Sequence, residues 1–182
     1  MTAPAIEVRD LRYGYADGAT ALRGLTFSVA EGETVGLIGP NGAGKSTLLL
    51  HLNGLLPETW RKERAVSIRG RAVGPENLHE VRREVGLLFQ DPNDQLFCPT
   101  VREDVAFGPA QLGLDGREVE ARVADALRKV GIEALAERPP PHLSVGEKRR
   151  VCLAGVLACD PAVLVLDEPT GSLDPKGRRE LK

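Results

Sequence analysis

The chain has 182 residues, which suits one domain with a substantial hydrophobic core. Its 24 basic and 26 acidic residues are interspersed and leave a formal net charge of -2, so charge gives no indication of a nucleic-acid partner. The longest apolar run, 151–159, is about half of a membrane-spanning helix, and the first ten residues lack a signal-peptide pattern. We therefore expect a cytoplasmic protein that reaches a membrane only through a partner.

The predicted elements begin with two half-buried antiparallel strands, at 6–8 and 25–29, joined by a turn at 15–18. The apolar run Thr34–Ile38 predicts a buried strand that leads directly into a glycine-rich segment. Shorter strand signals follow at 65–73 and 85–89.

Beyond Gln90 the pattern becomes helical, with apolar residues at helical spacing in the region 101–158 and a break at the prolines 139–141. The run Val163–Leu166 predicts a fully buried strand at the parallel centre of a sheet. The predicted class is α/β: a P-loop core, an antiparallel β subdomain, and a helical insertion. We treat residues 1–182 as a single domain with a helical subdomain at about 91–160.

The segment after Ile38, residues 39–47, fits the phosphate-binding spacing G-x-x-x-x-G-K-[ST] and is called the P-loop. Its glycines let backbone N–H groups turn toward phosphate oxygens, its lysine reaches the β- and γ-phosphates, and its serine can ligate Mg²⁺. The following apolar residues predict a helix whose N-terminus favours the same anion. The predicted nucleotide-binding residues here are Gly39, Pro40, Asn41, Gly42, Ala43, Gly44, Lys45, Ser46 and Thr47.

Two carboxylates, Asp167 and Glu168, end the predicted strand at 163–166. Asp167 stands where a P-loop protein holds Mg²⁺ together with Ser46. Glu168 suits a general base that polarises the water attacking the γ-phosphate. Between the two motifs, Ser144 and Gly146 open a predicted helix and form either a second anion site or an ordinary helix cap.

In this order, the P-loop, Gln90, the segment 143–147, the strand ending in Asp167-Glu168-Pro169, and Ser172-Leu173-Asp174 resemble the nucleotide-binding subunits of ABC transporters. The resemblance implies an ATPase that uses ATP and Mg²⁺ and pairs with a second ATP-binding subunit, identical or different. It assigns Ser144, Gly146 and Glu147 to nucleotide bound by the partner.

The resemblance also implies roles for single residues. Gln90 would contact Mg²⁺ and couple hydrolysis to integral membrane subunits, Asp174 would lie at the dimer contact, and Tyr15 would stack on adenine. A core or surface aromatic role is the alternative for Tyr15, with Tyr13 two residues away.

The segment from Phe89 to Pro109 looks most like the energy-coupling-factor branch, whose members power uptake of cobalt, nickel or vitamins. The segment from Gln90 to Phe97 is expected to face a helix of the membrane subunit, with Leu96 and Phe97 as docking residues, which would keep the chain peripheral at the inner face of the membrane. The alternatives are a soluble ABC protein without a transporter, a truncated or non-hydrolytic nucleotide-binding module, and, more remotely, a small-molecule kinase.

Two departures from the family pattern set further expectations. Val145 and Glu147 stand where the common signature reads Leu-Ser-Gly-Gly-Gln. The sequence stops at Lys182, before the family's next core strand and its catalytic-site histidine. We therefore expect weak Mg·ATP binding, little hydrolysis and a tendency to aggregate when this chain is alone.

Overall fold

A four-stranded antiparallel sheet, in the order β2-β1-β3-β4, organises the first part of the chain. Its strands are β1 (Ile6–Gly14), β2 (Thr20–Val29), β3 (Val66–Ile68) and β4 (Arg71–Ala72). The turn predicted at 15–18 is confirmed, since Gly18 N–H donates to the Tyr15 carbonyl over 3.0 Å. The computed structural model describes residues 3–60 and 64–169 and divides the chain into two units, 1–85 and 86–182.

The first unit buries one face of this sheet beneath helix α1 (Lys45–Leu52), which packs on β2 and β3. Val8 on β1 and Ile68 on the paired strand β3 are almost completely buried, as is Leu48 on the helix. Helix α2 (Leu78–Glu84) ends this unit, after a single 3-10 turn at Pro75–Asn77.

The predicted buried strand at 34–38 is wrong in this structure. These residues are in no strand, and Val35, Leu37 and Ile38 are 55%, 47% and 96% exposed. An apolar run becomes a buried strand only when neighbouring strands satisfy its backbone N–H and C=O groups. Nothing in the described ranges 3–60 and 64–169 pairs with it as a strand.

Within residues 86–169 of the second unit, three α-helices pack together: α3 (Val101–Gln111), α4 (Gly116–Lys129) and α5 (Val145–Ala158). Each begins at a side-chain cap: Thr100, Asp115 and Ser144 accept hydrogen bonds from backbone N–H groups of the first helical turn. The three helices bury a common core, which confirms the helical interpretation of 101–158. That core includes Val101, Val105, Val123, Leu127, Val151 and Ala154.

Strands β5 (Val85–Leu88) and β6 (Val163–Leu166) form a separate two-stranded sheet. Val163 and Val165 are buried, as predicted, but Leu164 is 47% exposed. Alternate residues of a strand face opposite sides, and only one side of β6 is covered by the described residues. The expectation of a fully buried strand therefore holds for one face, while the predicted α/β class, with its antiparallel sheet and helical region, is confirmed.

Candidate functional site

The P-loop backbone turns sharply into α1 through two glycines in the left-handed region. Gly42 has φ 77° and Gly44, the residue before the helix, has φ 86°. A Cβ at Gly44 would lie 2.6 Å from the Ala21 carbonyl oxygen. Glycine is therefore required at this position by both the backbone conformation and the close approach of the preceding strand.

The N-terminus of α1 is open to an anion. No side chain caps it, and its first turn carries no carboxylate. Lys45 donates from Nζ to the carbonyls of Gly39 and Pro40, over 2.9 and 3.0 Å, which holds its ammonium group across the loop. Unpaired helix N–H groups, the helix dipole and a lysine together attract phosphate. Ser46, on the same turn, is exposed.

A cavity of about 520 Å³ adjoins the loop within the first unit. Its walls come from β2, from Leu37 and Ile38, and from the P-loop at Gly42–Lys45. Tyr15, the predicted adenine platform, is 39% exposed, and its hydroxyl shares a 2.8 Å hydrogen bond with Thr47 Oγ1. The structure thus brings Tyr15 to the end of the P-loop, a contact between residues 32 positions apart that no local sequence pattern indicates.

In the second unit, Gln90 follows β5 while Asp167 and Glu168 follow β6. The Gln90 side-chain amide donates from Nε2 to Glu168 Oε2 over 3.2 Å. Asp167 is buried, at 9% exposed, and its backbone N–H donates to the Leu88 carbonyl. Glu168 adopts φ 46°, a left-handed conformation that is uncommon outside glycine and recurs at functional sites. Three predicted site residues are thus gathered at the ends of two paired strands.

Arg149 ties the same two strand ends together. Its guanidinium donates from Nη2 to the backbone carbonyls of Gln90 and Asp167, over 2.9 and 3.3 Å, and the residue is only 3% exposed. A basic run such as Lys148-Arg149-Arg150 predicts a solvated face, and the burial of Arg149 shows that this prediction is wrong at this position. A usable signal was its helical spacing from the buried residues Cys152 and Val156.

Ser144 and Glu147 satisfy each other at the N-terminus of α5. Glu147 Oε2 accepts hydrogen bonds from Ser144 Oγ and from Ser144 N–H, over 2.7 and 2.8 Å, and Ser144 Oγ accepts from Glu147 N–H. The hydrogen bonds from Ser144 lower the pKa of Glu147. Gly146 lies in the first turn beside the exposed Val145. The predicted second anion site is therefore, in this conformation, a capping box.

Phe97 and Phe107 form an exposed aromatic pair on the second unit. Their ring centroids are 4.8 Å apart at 88°, and the residues are 65% and 45% exposed. Leu96, which the sequence grouped with Phe97 as a docking residue, instead packs against the helical core. Asp174, like Ser172 and Leu173, lies outside the described residues.

The donor set predicted for Mg²⁺ fits that ion chemically. Ser46, Asp167 and Gln90 offer oxygens, and Gln90 Oε1 remains an acceptor because Nε2 faces Glu168. Residues 3–60 and 64–169 hold no cluster of three or more His, Cys, Asp or Glu side chains that could bind a metal. Mg²⁺ needs none, since it commonly takes one or two protein ligands beside phosphate oxygens and water. In the part of the chain that is described, no helix is long and apolar enough to cross a membrane.

Comparison with known proteins agrees with these features. The ABC transporter family matches residues 22–171. The energy-coupling factor transporter ATP-binding protein EcfA of Methanocaldococcus jannaschii is 53% identical over 97% of this chain and 63% of its own length. An ABC transporter ATP-binding protein of Geobacter sulfurreducens, named without a substrate, is 57% identical over the whole chain and 72% of its own length.

Solved structures show the same likeness. CbiO1 of Clostridium perfringens, part of the ABC transporter complex CbiONQ, superposes with a TM-score of 0.82 at 40% identity, over 98% of this chain and 71% of its own. The ATP-binding cassette MJ0796, a dimer in a post-hydrolysis state with ADP and Pi, superposes with a TM-score of 0.84 at 28% identity, over 97% and 79%. The chain thus spans roughly two thirds to four fifths of these proteins, and it belongs to the ATP-binding family of ABC transporters, the ABC ATPases.

Proposed function

We propose that this chain is the ATP-binding and ATP-hydrolysing subunit of an energy-coupling-factor type importer, which takes up cobalt, nickel or a vitamin. The observation that carries the nucleotide part is the uncapped N-terminus of α1 with Lys45 held across the loop. The importer part rests on likeness to EcfA and CbiO1.

ATP binding is the role of the first unit. The N–H groups at the start of α1 receive phosphate oxygens, and Lys45 exchanges its two carbonyl contacts for the β- and γ-phosphates. The adenine stacks on Tyr15, which is partly exposed and already lies at the end of the loop. The Ser46 hydroxyl is one oxygen donor for Mg²⁺.

Hydrolysis is the role of the strand ends in the second unit. Asp167 and the Oε1 atom of Gln90 would be further oxygen donors for Mg²⁺, and the ion would neutralise charge on the phosphates. Glu168 accepts the proton of the attacking water, and the hydrogen bond from Gln90 fixes the direction of its carboxylate. Arg149 keeps both strand ends in register by holding their carbonyls.

A second ATP-binding subunit completes the reaction in this proposal. Ser144, Gly146 and Glu147 of one subunit meet the γ-phosphate held by the other, and Asp174 lies at that contact. The dimeric MJ0796 cassette supports such pairing. Before Ser144 can donate to a phosphate oxygen, its hydroxyl must leave Glu147 Oε2, whereas the two backbone N–H bonds of the capping box can stay in place when the dimer forms.

Coupling to the membrane is assigned to the Phe97–Phe107 pair. Phe97, in the segment before α3, and Phe107, on α3, present exposed aromatic rings that are suited to receive an apolar segment of a partner protein. The transported ion or vitamin is bound by the membrane partner, which leaves the ATPase at the inner face of the membrane without direct contact with the substrate.

The test is co-expression with the membrane subunits of an energy-coupling-factor importer, followed by affinity capture through those subunits. Phe97→Glu is expected to reduce capture of the ATPase while leaving its ATP affinity within about twofold. The matched control is Leu55→Glu, which also places a carboxylate at an exposed apolar position, 41% exposed, but in the first unit. Absence of capture of the parent chain would refute the importer assignment, and equal capture of both variants would move the docking surface elsewhere.

A further inference from the structure

Thr47, the last residue of the P-loop motif, is held from two sides. Its hydroxyl shares the 2.8 Å hydrogen bond with Tyr15. Its carbonyl lies 2.7 Å from His51 Nδ1. A carbonyl can only accept, so Nδ1 carries the proton in that contact. Thr47 and His51 are both buried, at 6% and 3% exposed, so the contact lies in the interior beneath the loop.

Tyr13 joins the two partners of Thr47. Its ring makes an edge contact with the Tyr15 ring, at 5.0 Å and 85°, and another with the His51 ring, at 4.8 Å and 75°. Four residues, Thr47, Tyr15, Tyr13 and His51, therefore form a closed cluster. Within it Tyr15 has only one hydroxyl contact and one ring contact to fix the direction of its ring.

Glu58 anchors this cluster from outside. The Tyr13 hydroxyl donates to Glu58 Oε2 over 2.6 Å, a short hydrogen bond to a charged acceptor. The bond raises the pKa of Tyr13 to about 12 and lowers that of Glu58. The proton thus stays on Tyr13 throughout the physiological range, and the bond is maintained.

We infer that Tyr13, fixed by Glu58, is a positioning residue for the nucleotide base, because it holds the Tyr15 ring at the angle at which adenine stacks on it. The inference rests on the proposed nucleotide function and adds two residues, Tyr13 and Glu58, that contact neither phosphate nor base. Neither lies in the P-loop motif. Tyr13 therefore acts on the base and leaves the phosphates to Lys45 and the helix N-terminus.

The experiment compares two probes, Mg·ATP and Mg·tripolyphosphate, by isothermal titration calorimetry on the full chain. An edge-to-face aromatic pair contributes enough to change affinity about two- to tenfold. Tyr13→Leu is therefore expected to raise the Kd of ATP by that factor while the Kd of tripolyphosphate stays within twofold. Thermal unfolding confirms that each variant is folded.

A second pair of variants tests the anchor without touching the core. Tyr13→Phe and Glu58→Ala both delete the same hydrogen bond, so each should raise the Kd of ATP about two- to threefold. The double variant should be no weaker than either single one, because their effects are not additive when both remove one contact. Glu80→Ala, at an exposed carboxylate on α2, is the matched control and should leave both affinities unchanged.

The possible results separate the inference from the proposed function. A parent chain that binds neither probe refutes the nucleotide function itself. If the parent binds both, equal loss of ATP and tripolyphosphate in Tyr13→Leu shows a general structural effect and overturns the positioning role. Unchanged ATP affinity in the Tyr13 and Glu58 variants overturns it as well.

Discussion

Arg149→Met tests whether one buried guanidinium holds together the ends of β5 and β6, which carry the proposed hydrolytic residues. The side chain is only 3% exposed and donates to the carbonyls of Gln90 and Asp167. A hydrogen bond from a charged donor contributes about 1.5–3 kcal/mol, and the 3.3 Å bond counts for roughly half as much. Methionine fills a similar volume but has no N–H group to donate. The carbonyls of Gln90 and Asp167 therefore lose this partner.

The variant also relieves some desolvation, because Arg149 Nε is buried without a hydrogen-bond partner among the described residues. Setting this relief against the lost bonds, we expect the free energy of unfolding to fall by about 2–4 kcal/mol. With a urea dependence of about 1–3 kcal/mol/M, the unfolding midpoint should fall by roughly 1–2 M. In Arg149→Lys, which keeps a charged donor group, the unfolding midpoint should fall less.

The assay is equilibrium urea unfolding, paired with the Mg²⁺ dependence of ATP binding. Arg128→Met is the control, because Arg128 forms an exposed ion pair with Asp125 on α4 and should cost less than about 0.5 kcal/mol. A positional role predicts weaker Mg²⁺ dependence in Arg149→Met and partial recovery in Arg149→Lys. If Arg149→Met unfolds within about 0.5 kcal/mol of the parent, the two hydrogen bonds do not outweigh the desolvation of the guanidinium, and the reasoning is refuted.

Four further outcomes are expected. Lys45→Ala should weaken ATP binding about tenfold or more, measured by calorimetry, and unchanged affinity would remove the P-loop assignment. In the complex with its membrane partner, Glu168→Gln should slow ATP turnover by about 10²–10⁴ while ATP still binds; turnover at the parent rate would place the base elsewhere. Glu147→Gln should strengthen the ATP-induced dimer several-fold, as measured by ultracentrifugation. The amide keeps the capping box but removes a negative charge beside the proposed γ-phosphate site. A weaker dimer would contradict this expectation. Burial lowers the pKa of His51 below its ordinary value, so the unfolded chain takes up the proton first as pH falls. The free energy of unfolding should therefore decline from about pH 7 downward, through the unfolded pKa of about 6.5. His51→Asn should flatten that decline in urea titrations carried out at each pH.

Local signals explain which elements could be predicted. The P-loop spacing, the Ser144–Glu147 capping box and the caps at Thr100 and Asp115 are each complete within a few neighbouring residues. They fix the starts of the helices without reference to the rest of the chain. The same holds for the turn at 15–18, where a glycine supplies the left-handed conformation.

Elements that depend on partners far away in the sequence were harder to predict. The run at 34–38 has the composition of a core strand, yet whether it forms one depends on strands elsewhere in the chain. Arg149 looks solvated because its carbonyl partners, at Gln90 and Asp167, are 59 and 18 residues away. The neighbours of His51 in the sequence indicate no role for it, although its helical spacing from the buried Leu48 and Leu52 indicates an inward face.

In the proposed function, Gln90 is the residue that links the hydrolytic site to the docking surface of the second unit. Its side chain contacts Glu168 and its carbonyl contacts Arg149, while the chain beyond it leads to Phe97.

The segment that connects Gln90 to Phe97 is held on both sides: Lys148 donates to the Asn93 side chain, and Asp104 accepts from Phe97 N–H. Because these hydrogen bonds restrain the segment, we expect a displacement of the Phe97 surface by a partner to be transmitted along it. The displacement then reaches either helices α3 and α5 or the contact between Gln90 and the proposed base, Glu168. Of these, the single 3.2 Å bond between Gln90 and Glu168 is the weakest constraint, because it joins two exposed side chains whereas the helices share a packed core. Partner docking is therefore expected to change the direction of the Glu168 carboxylate before it changes the helical packing.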